Sequence, residues 1–224
     1  MRTPPAVVLV IAGTSGAIGA PIVVDDFETG PFSASLTAPG SSTAEVTPAA
    51  NALRGDRFER LFVASNPFSL PVVMAIGSGA ATVSNPFAAS SVATLGYGFR
   101  FDGIDIFDDD SMNLSVPGFE AIQLEFLGND LDLVMSVTLG SNDGAVAESH
   151  DYLIAGGREV TPFVYSVSLL DFPLIDLGDL DLISISFSST PSGDFALDGI
   201  VLVPAPSGAG LLALAGLLAR RRRR

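Results

Sequence analysis

The chain has 224 residues and a formal net charge of −14, and it contains neither cysteine nor lysine. Six of its eleven arginines lie at the two ends, so the intervening residues set five arginines against 25 acidic residues, a net charge of −20. This charge disfavours nucleic acids and anionic membranes as partners and suits divalent cations or neutral molecules. The missing cysteine and lysine exclude disulfide bonds, thiol catalysis, cysteine–zinc sites and Schiff-base chemistry.

The first 19 residues have the features of a secretory signal peptide. Arg2 supplies a positive charge, residues 6–12 (AVVLVIA) form a short apolar stretch, and Ala17 and Gly19 occupy the −3 and −1 positions of a cleavage site. The alternative interpretation is a buried N-terminal strand. We therefore predict that residues 1–19 are a signal peptide and that the protein is exported.

Residues 21–203 are predicted to form a β domain. Apolar and polar residues alternate in five segments, which is typical of antiparallel strands with one buried and one exposed face. Turn-forming residues separate these segments, and no strong amphipathic helix is indicated before residue 207. Many short strands at this spacing predict an all-β, antiparallel β-sandwich or jelly roll. The five segments are residues 94–101, 121–126, 131–139, 161–169 and 182–188.

The tripeptide Asn-Pro-Phe occurs twice in this domain, at residues 66–68 and 85–87. Two copies of so short a motif are weak support for a tandem repeat. We interpret them as a pair of loops that enter equivalent hairpins.

Two groups of acidic residues are candidates for cation binding, because calcium prefers several carboxylate oxygens in flexible loops. The first group consists of Asp25, Asp26, Glu28, Asp194 and Asp198. These residues lie near the first and last predicted strands, and resemblance to carbohydrate-binding jelly rolls implies that such strands pair and that one structural calcium holds them. The second group lacks the EF-hand spacing and is interpreted as a solvated acidic face. It consists of Asp102, Asp105, Asp108, Asp109 and Asp110.

The residues of the body show no recognisable catalytic arrangement. The single histidine, His150, lies between Ser149 and Asp151, and adjacent residues of an extended chain point to opposite faces, so these three do not form a triad by themselves. The segment follows residues 142–144 and is predicted to be a loop. No pair of carboxylates is identified for glycoside hydrolysis. We therefore predict a protein that is not an enzyme.

Aromatic residues that could form a sugar-binding surface are few, because the chain has no tryptophan and only three tyrosines. Two of these, Tyr97 and Tyr165, fall on predicted apolar faces. The third is Tyr152. This distribution disfavours a lectin or a glycoside hydrolase.

Three features follow one another at the C-terminus. Pro204-Ala205-Pro206 keeps the chain extended, residues 207–219 are small or apolar, and an arginine cluster ends the chain. A helix of thirteen residues spans roughly 20 Å, less than the ~30 Å hydrocarbon core of a bilayer, so a permanent anchor is disfavoured. The alternative is a simple tail anchor with its arginines in the cytoplasm. The cluster consists of Arg220, Arg221, Arg222, Arg223 and Arg224.

This tripartite order resembles the PEP-CTERM sorting signal of exported bacterial proteins, with Ala205 in the place of the central glutamate. The resemblance implies recognition by an exosortase-type membrane protease-transpeptidase, transient anchoring in the inner membrane, and delivery to the cell envelope or the extracellular matrix. Residues 25–28 and 195–200 also resemble the first and last strands of jelly-roll domains that are common among PEP-CTERM proteins.

The expected organisation is therefore a signal peptide (1–19), a β-sandwich (21–203) and a sorting signal (204–224). The expected role is structural or adhesive, with extracellular polysaccharide as a candidate partner and no binding of nucleic acid. One alternative is a jelly-roll carbohydrate-binding module, which an exposed Tyr97 or Tyr152 on a concave face would favour. The other is a secreted hydrolase, which requires two facing carboxylates in a cleft.

Overall fold

The computed structural model describes residues 20–101, 106–108, 112–158 and 161–205. The predicted signal peptide and the predicted sorting signal from Pro206 onward lie outside the described residues, as does most of the second acidic group. In the described ranges, no helix has the length and apolar character needed to cross a membrane.

The predicted all-β, antiparallel fold is confirmed, because the described residues form two packed sheets and a small hairpin. Two single-turn 3-10 helices, Leu53–Gly55 and Leu169–Asp171, interrupt the strands. In chain order the strands are β1 (Ile22–Asp25), β2 (Phe32–Leu36), β3 (Ser42–Pro48), β4 (Asp56–Ser65), β5 (Val72–Gly77), β6 (Ala80–Ser84), β7 (Ser90–Tyr97), β8 (Phe99–Phe101), β9 (Ile106–Asp108), β10 (Phe119–Asn129), β11 (Leu133–Ser141), β12 (Val146–Ile154), β13 (Phe163–Ser168), β14 (Leu180–Ser189) and β15 (Phe195–Pro204).

The two sheets form a β-sandwich. Sheet A has the strand order β13-β10-β15-β6-β5-β2, and β1 also pairs with β15. Sheet B has the order β12-β11-β14-β7-β4-β3, and β8 pairs with β9 as a separate hairpin. All of these pairs are antiparallel.

The alternation predicted from the sequence places the core between the sheets. In β10, Ile122, Leu124 and Phe126 are buried, while the intervening Gln123 and Glu125 are half-buried on the outer face. β11 and β14 alternate in the same way, so side chains of the two sheets pack against each other. Burial of these faces supplies the main stabilising contribution to the sandwich.

The segment around His150 lies in strand β12, so the loop predicted there from the sequence is wrong. β12 pairs with β11 from Val146 to Ile154, and the residues before it form the turn of this hairpin. Asn142 and Asp143 adopt positive φ values of 57° and 53°, which allows a tight turn between β11 and β12.

Six connections cross between the sheets at one end of the sandwich, which we call the loop end. Their described residues are 37–41, 66–71, 85–89, 130–132, 155–158 with 161–162, and 190–194. At the other end the first and last strands pair, with Ile22 opposite Leu202 and with Phe119 of β10 opposite Pro204. The described chain therefore enters and leaves the sandwich at this opposite end, which we call the terminal end.

Candidate functional site

The first Asn-Pro-Phe segment forms a turn that is held by its asparagine. Asn66 is 2% exposed, and its Nδ2 donates hydrogen bonds to the carbonyl oxygens of Thr37 (2.8 Å) and Leu70 (2.6 Å). Its Oδ1 accepts a hydrogen bond from the Leu70 N–H. Ser69 takes a positive φ of 52°, which reverses the chain directly after Phe68. The turn therefore holds Phe68 at the loop end.

The second segment forms a similar turn beside it. Asn85 is 4% exposed, and its Nδ2 donates to the carbonyl oxygen of Gly193 at 2.6 Å. The Ala88 N–H donates to Ser192 Oγ at 2.8 Å, and Ala88 takes a positive φ of 60°. The two turns precede and follow the single β5–β6 hairpin, rather than entering two equivalent hairpins.

These twin turns place two phenylalanine rings side by side in solvent. The ring centroids of Phe68 and Phe87 are 5.7 Å apart, and the rings are inclined by 33°. Phe68 is 57% exposed and Phe87 is 72% exposed, with the half-exposed Leu70 in the first turn. We call Phe68, Leu70 and Phe87 the aromatic tip. The aromatic tip is not predicted from the sequence, because the predicted sugar-binding surface rested on tyrosine and tryptophan alone, although the repeated Asn-Pro-Phe tripeptide marks both of its turns.

A shallow depression lies on the outer face of sheet A next to this end. Its volume is about 460 Å³, and its polar lining includes Thr82, Ser84, Asn129, Asp130 and Asp194. The Asn85 N–H, at the start of the second turn, donates to Asp194 Oδ1 at 2.6 Å, so the second turn begins beside the depression. Burial and the neighbouring Asp130 carboxylate raise the pKa of Asp194.

The acidic residues predicted to bind calcium fall in two places. Asp25, Asp26, Glu28 and Asp198 line a second depression, between β1 and the bulge of β15, together with Glu125. The predicted pairing of the first and last strands occurs, with Asp25 opposite Ile200. Asp194 is not part of this group, since it lies at the loop end.

Asp25 differs from the other acidic residues of this depression because it is only 1% exposed and both of its carboxylate oxygens accept hydrogen bonds from the protein. Its Oδ1 accepts a hydrogen bond from the Phe27 N–H at 2.9 Å. Its Oδ2 accepts from Arg57 Nη1 at 2.9 Å and from the Tyr97 hydroxyl at 3.0 Å. A carboxylate with these partners has little capacity left for a cation.

The remaining three predicted ligands, Asp26, Glu28 and Asp198, do not yet form a metal site. Asp26 uses both oxygens, one for the Glu28 N–H and one for the side chain of Asn51. Across the part of the chain that the structure describes, no group of three candidate ligands is close enough to hold a metal ion. Calcium binding at this depression therefore stays a prediction that requires these side chains to rearrange.

The residues around His150 point to different faces of β12. His150 Nε2 lies 3.1 Å from Glu148 Oε1, and the ring packs edge-on against Phe172. Ser149 is on the other face, where its hydroxyl hydrogen-bonds to Ser136 and Thr138. These three neighbours in sequence therefore do not come together as a triad.

The tyrosines do not provide an exposed aromatic surface. Tyr97 is completely buried, and its hydroxyl donates to Asp25. The Tyr152 ring packs against Tyr165, and its hydroxyl donates to Asp171 at 3.1 Å; burial and this carboxylate raise its pKa. The tyrosine-lined concave face that would favour a carbohydrate-binding module is therefore not found among these three residues.

Comparisons with known proteins give structural similarity alone. No family model matches the chain, and no curated protein matches it. A family 11 carbohydrate-binding module of the cellulosomal cellulase Lic26A-Cel5E of Clostridium thermocellum is similar at 15% identity and a TM-score of 0.43, over 84% of this chain and 96% of that one. The same kind of module from Clostridium thermocellum in complex with a β-1,3-1,4-mixed-linked tetrasaccharide gives 14% identity and a TM-score of 0.41, over 83% and 96%. The enzymatically active domain of tailspike protein 4 of bacteriophage CBA120 gives 16% identity and a TM-score of 0.39, over 81% of this chain and 22% of that one.

Proposed function

We propose that this protein is an exported, non-enzymatic β-sandwich protein with a structural or adhesive role at the cell envelope or in the extracellular matrix. In this proposal, an exosortase-type enzyme processes the chain at Pro204-Ala205-Pro206 after transient anchoring through residues 207–219 and Arg220–Arg224. The sequence pattern of the two ends is the basis for the export and sorting steps.

The observation that carries the adhesive role is the separation of the two ends of the sandwich. β1 and β15 pair at the terminal end, so a tail that follows Pro204 leaves from there. The aromatic tip, with its exposed rings, lies at the loop end, at the opposite end of the sandwich from Pro204. A protein held by its C-terminus would therefore present the aromatic tip outward.

Intact-mass spectrometry of the protein from fractionated producing cells tests the processing. We expect the surface or medium fraction to contain a form that lacks residues 1–19 and Arg220–Arg224. Replacing the five arginines by serine should leave the C-terminus untrimmed. A surface form that retains its complete C-terminus would contradict the sorting step and would indicate a tail anchor.

The second candidate function is that of a carbohydrate-binding module. The specific support is the exposed ring pair Phe68–Phe87, since aromatic faces on a polar surface are suited to sugars. The two candidates are compatible, because an adhesive surface protein requires a ligand to which it adheres.

A further inference from the structure

We propose that the aromatic tip is a binding site for neutral polysaccharide, with Phe68 and Phe87 stacking against the apolar faces of pyranose rings. This inference rests on the proposed adhesive function and names its ligand class.

The exposure of the two rings is built by the fold rather than incidental. Each ring follows a buried asparagine whose amide hydrogen-bonds to backbone carbonyls of a neighbouring loop. Each is followed by a residue at positive φ, Ser69 in the first turn and Ala88 in the second. Two separate loops thus hold two rings in contact with each other while 57% and 72% of their surfaces face solvent. Apolar rings held in this way favour a ligand that covers them.

The size of the tip favours a small ligand over a protein partner. At the exposures of Phe68 and Phe87, the two rings offer roughly 250 Å² of surface. A stable protein–protein interface buries about 800 Å² on each partner. The tip is therefore too small to hold a second copy of this chain, whereas it matches the contact surface of a few sugar units.

The charges around the tip favour a neutral ligand. In the described connections of the loop end, Asp130, Asp132 and Asp194 are acidic, and Arg158 is basic with its guanidinium over the Phe163 ring at 4.5 Å. The rest of the body is also strongly acidic. Anionic lipids, nucleic acids and acidic polysaccharides would be repelled. In the adjacent depression the hydroxyls of Thr82 and Ser84 donate to Ala75 and Asp194, which leaves their oxygens to accept hydrogen bonds from sugar hydroxyls.

Affinity gel electrophoresis of the protein as recovered from the producing cells tests this site. The gels contain laminarin, hydroxyethylcellulose, xylan, galactomannan, dextran or the neutral polysaccharide of the producing cells, and alginate serves as the acidic comparator. We expect retardation on at least one neutral polysaccharide and none on alginate. The double variant Phe68→Ala/Phe87→Ala should lose about tenfold in affinity, because the stacked ring area is removed.

Two variants control for folding and for exposed apolar area. Phe68→Tyr/Phe87→Tyr keeps the rings and should bind like the wild type. Leu170→Ala/Leu174→Ala removes two side chains that are 85% and 68% exposed near the terminal end, and it should also bind like the wild type. Unchanged circular dichroism and melting temperature of the alanine variant exclude loss of fold as the cause.

Several results would overturn the proposal. These are the absence of retardation on every neutral polysaccharide, equal retardation of the wild type and the double alanine variant, or dimerisation that depends on the two rings. Binding to phosphatidylglycerol vesicles that depends on the rings would instead assign the tip to a membrane. The sugar-binding test is independent of the C-terminal processing test. Sugar binding by a protein that is not sorted would contradict only the proposed location. Sorting of a protein that binds no sugar would contradict only the binding site proposed at the aromatic tip.

Discussion

The carboxylate of Asp25 in sheet A and the guanidinium of Arg57 in sheet B form a salt bridge of 2.9 Å through the core of the sandwich. Both side chains are at most 1% exposed. Arg57 also bonds to Glu59 Oε1 at 2.8 Å and to the Gly30 carbonyl oxygen, and its guanidinium lies over the Phe27 ring. The network joins the first strand to the opposite sheet, close to where the described chain enters the sandwich.

Substitution of Asp25 by Asn should be strongly destabilising, because it leaves the buried guanidinium of Arg57 with a neutral partner at that position. Removing one member of a buried ion pair typically costs about 3–5 kcal/mol. Equilibrium unfolding in urea at pH 7 measures this loss. Asp26→Asn is the matched control, since Asp26 is adjacent but partly exposed, and it should cost less than about 1 kcal/mol. Equal losses in the two variants would contradict the assigned importance of the bridge.

Glu59 should make stability fall as pH rises through the neutral range. The ordinary pKa of a glutamate is 4.5. Burial raises the pKa of Glu59 to about 7, although the neighbouring Arg57 guanidinium acts to lower it. The folded state therefore holds a proton that the unfolded state releases between these two values, so the free energy of unfolding falls as pH rises. Above the folded pKa the full cost of ionising Glu59 is present, up to about 3 kcal/mol.

The variant Glu59→Gln removes this titration while keeping an acceptor for Arg57 Nε. Relative to the wild type, it should gain free energy of unfolding between pH 5 and pH 8. Urea unfolding at several pH values measures the free energy of unfolding of the variant and of the wild type. The difference between the two values removes the contribution of the charge repulsion among the other acidic residues, which both proteins share. A difference that stays constant with pH would show that Glu59 does not titrate in this window.

The strands were predictable from the sequence where each has one apolar and one polar face. Ile122, Leu124 and Phe126 alternate with polar residues, and the structure buries these three in β10. β4 lacks this signal, since its inward positions include the charged Arg57 and Glu59. Their burial depends on Asp25, which is distant in sequence and on the other sheet, so no local pattern could indicate it.

The candidate site was less predictable because it depends on how loops meet. The repeated Asn-Pro-Phe was visible in the sequence, but the contact between Phe68 and Phe87 requires the β5–β6 hairpin to bring the two turns together. The tertiary structure also explains why Asp194 and Asp198 lie in different places. Asp194 is at the loop end, whereas Asp198, four residues later, lies at the bulge of β15 beside β1.

Calcium should stabilise the protein if Asp26, Glu28 and Asp198 rearrange around the ion. Three carboxylates around one depression repel each other, and a bound cation would stabilise the folded state by linkage. We expect a millimolar calcium concentration to raise the melting temperature of the wild type and a chelator to lower it. Asp198→Ala should abolish the response, whereas Asp194→Ala at the loop end should retain it. A calcium response that Asp198→Ala leaves unchanged would exclude this depression as the site.

Gly98, which links β7 to β8, should tolerate no side chain. Its φ is +91°, and a Cβ there would overlap the carbonyl oxygen of Asp181 in β14. Gly118 is the matched control, because its φ is +88° and a Cβ there would meet nothing within 4 Å. Both substitutions by alanine carry the cost of a left-handed backbone, about 1–2 kcal/mol, and only Gly98→Ala adds the steric overlap. We therefore expect Gly98→Ala to lose at least about 2 kcal/mol more than Gly118→Ala in urea unfolding. Equal losses would mean that β14 moves away from Gly98 at little cost and would contradict the close approach between Gly98 and Asp181.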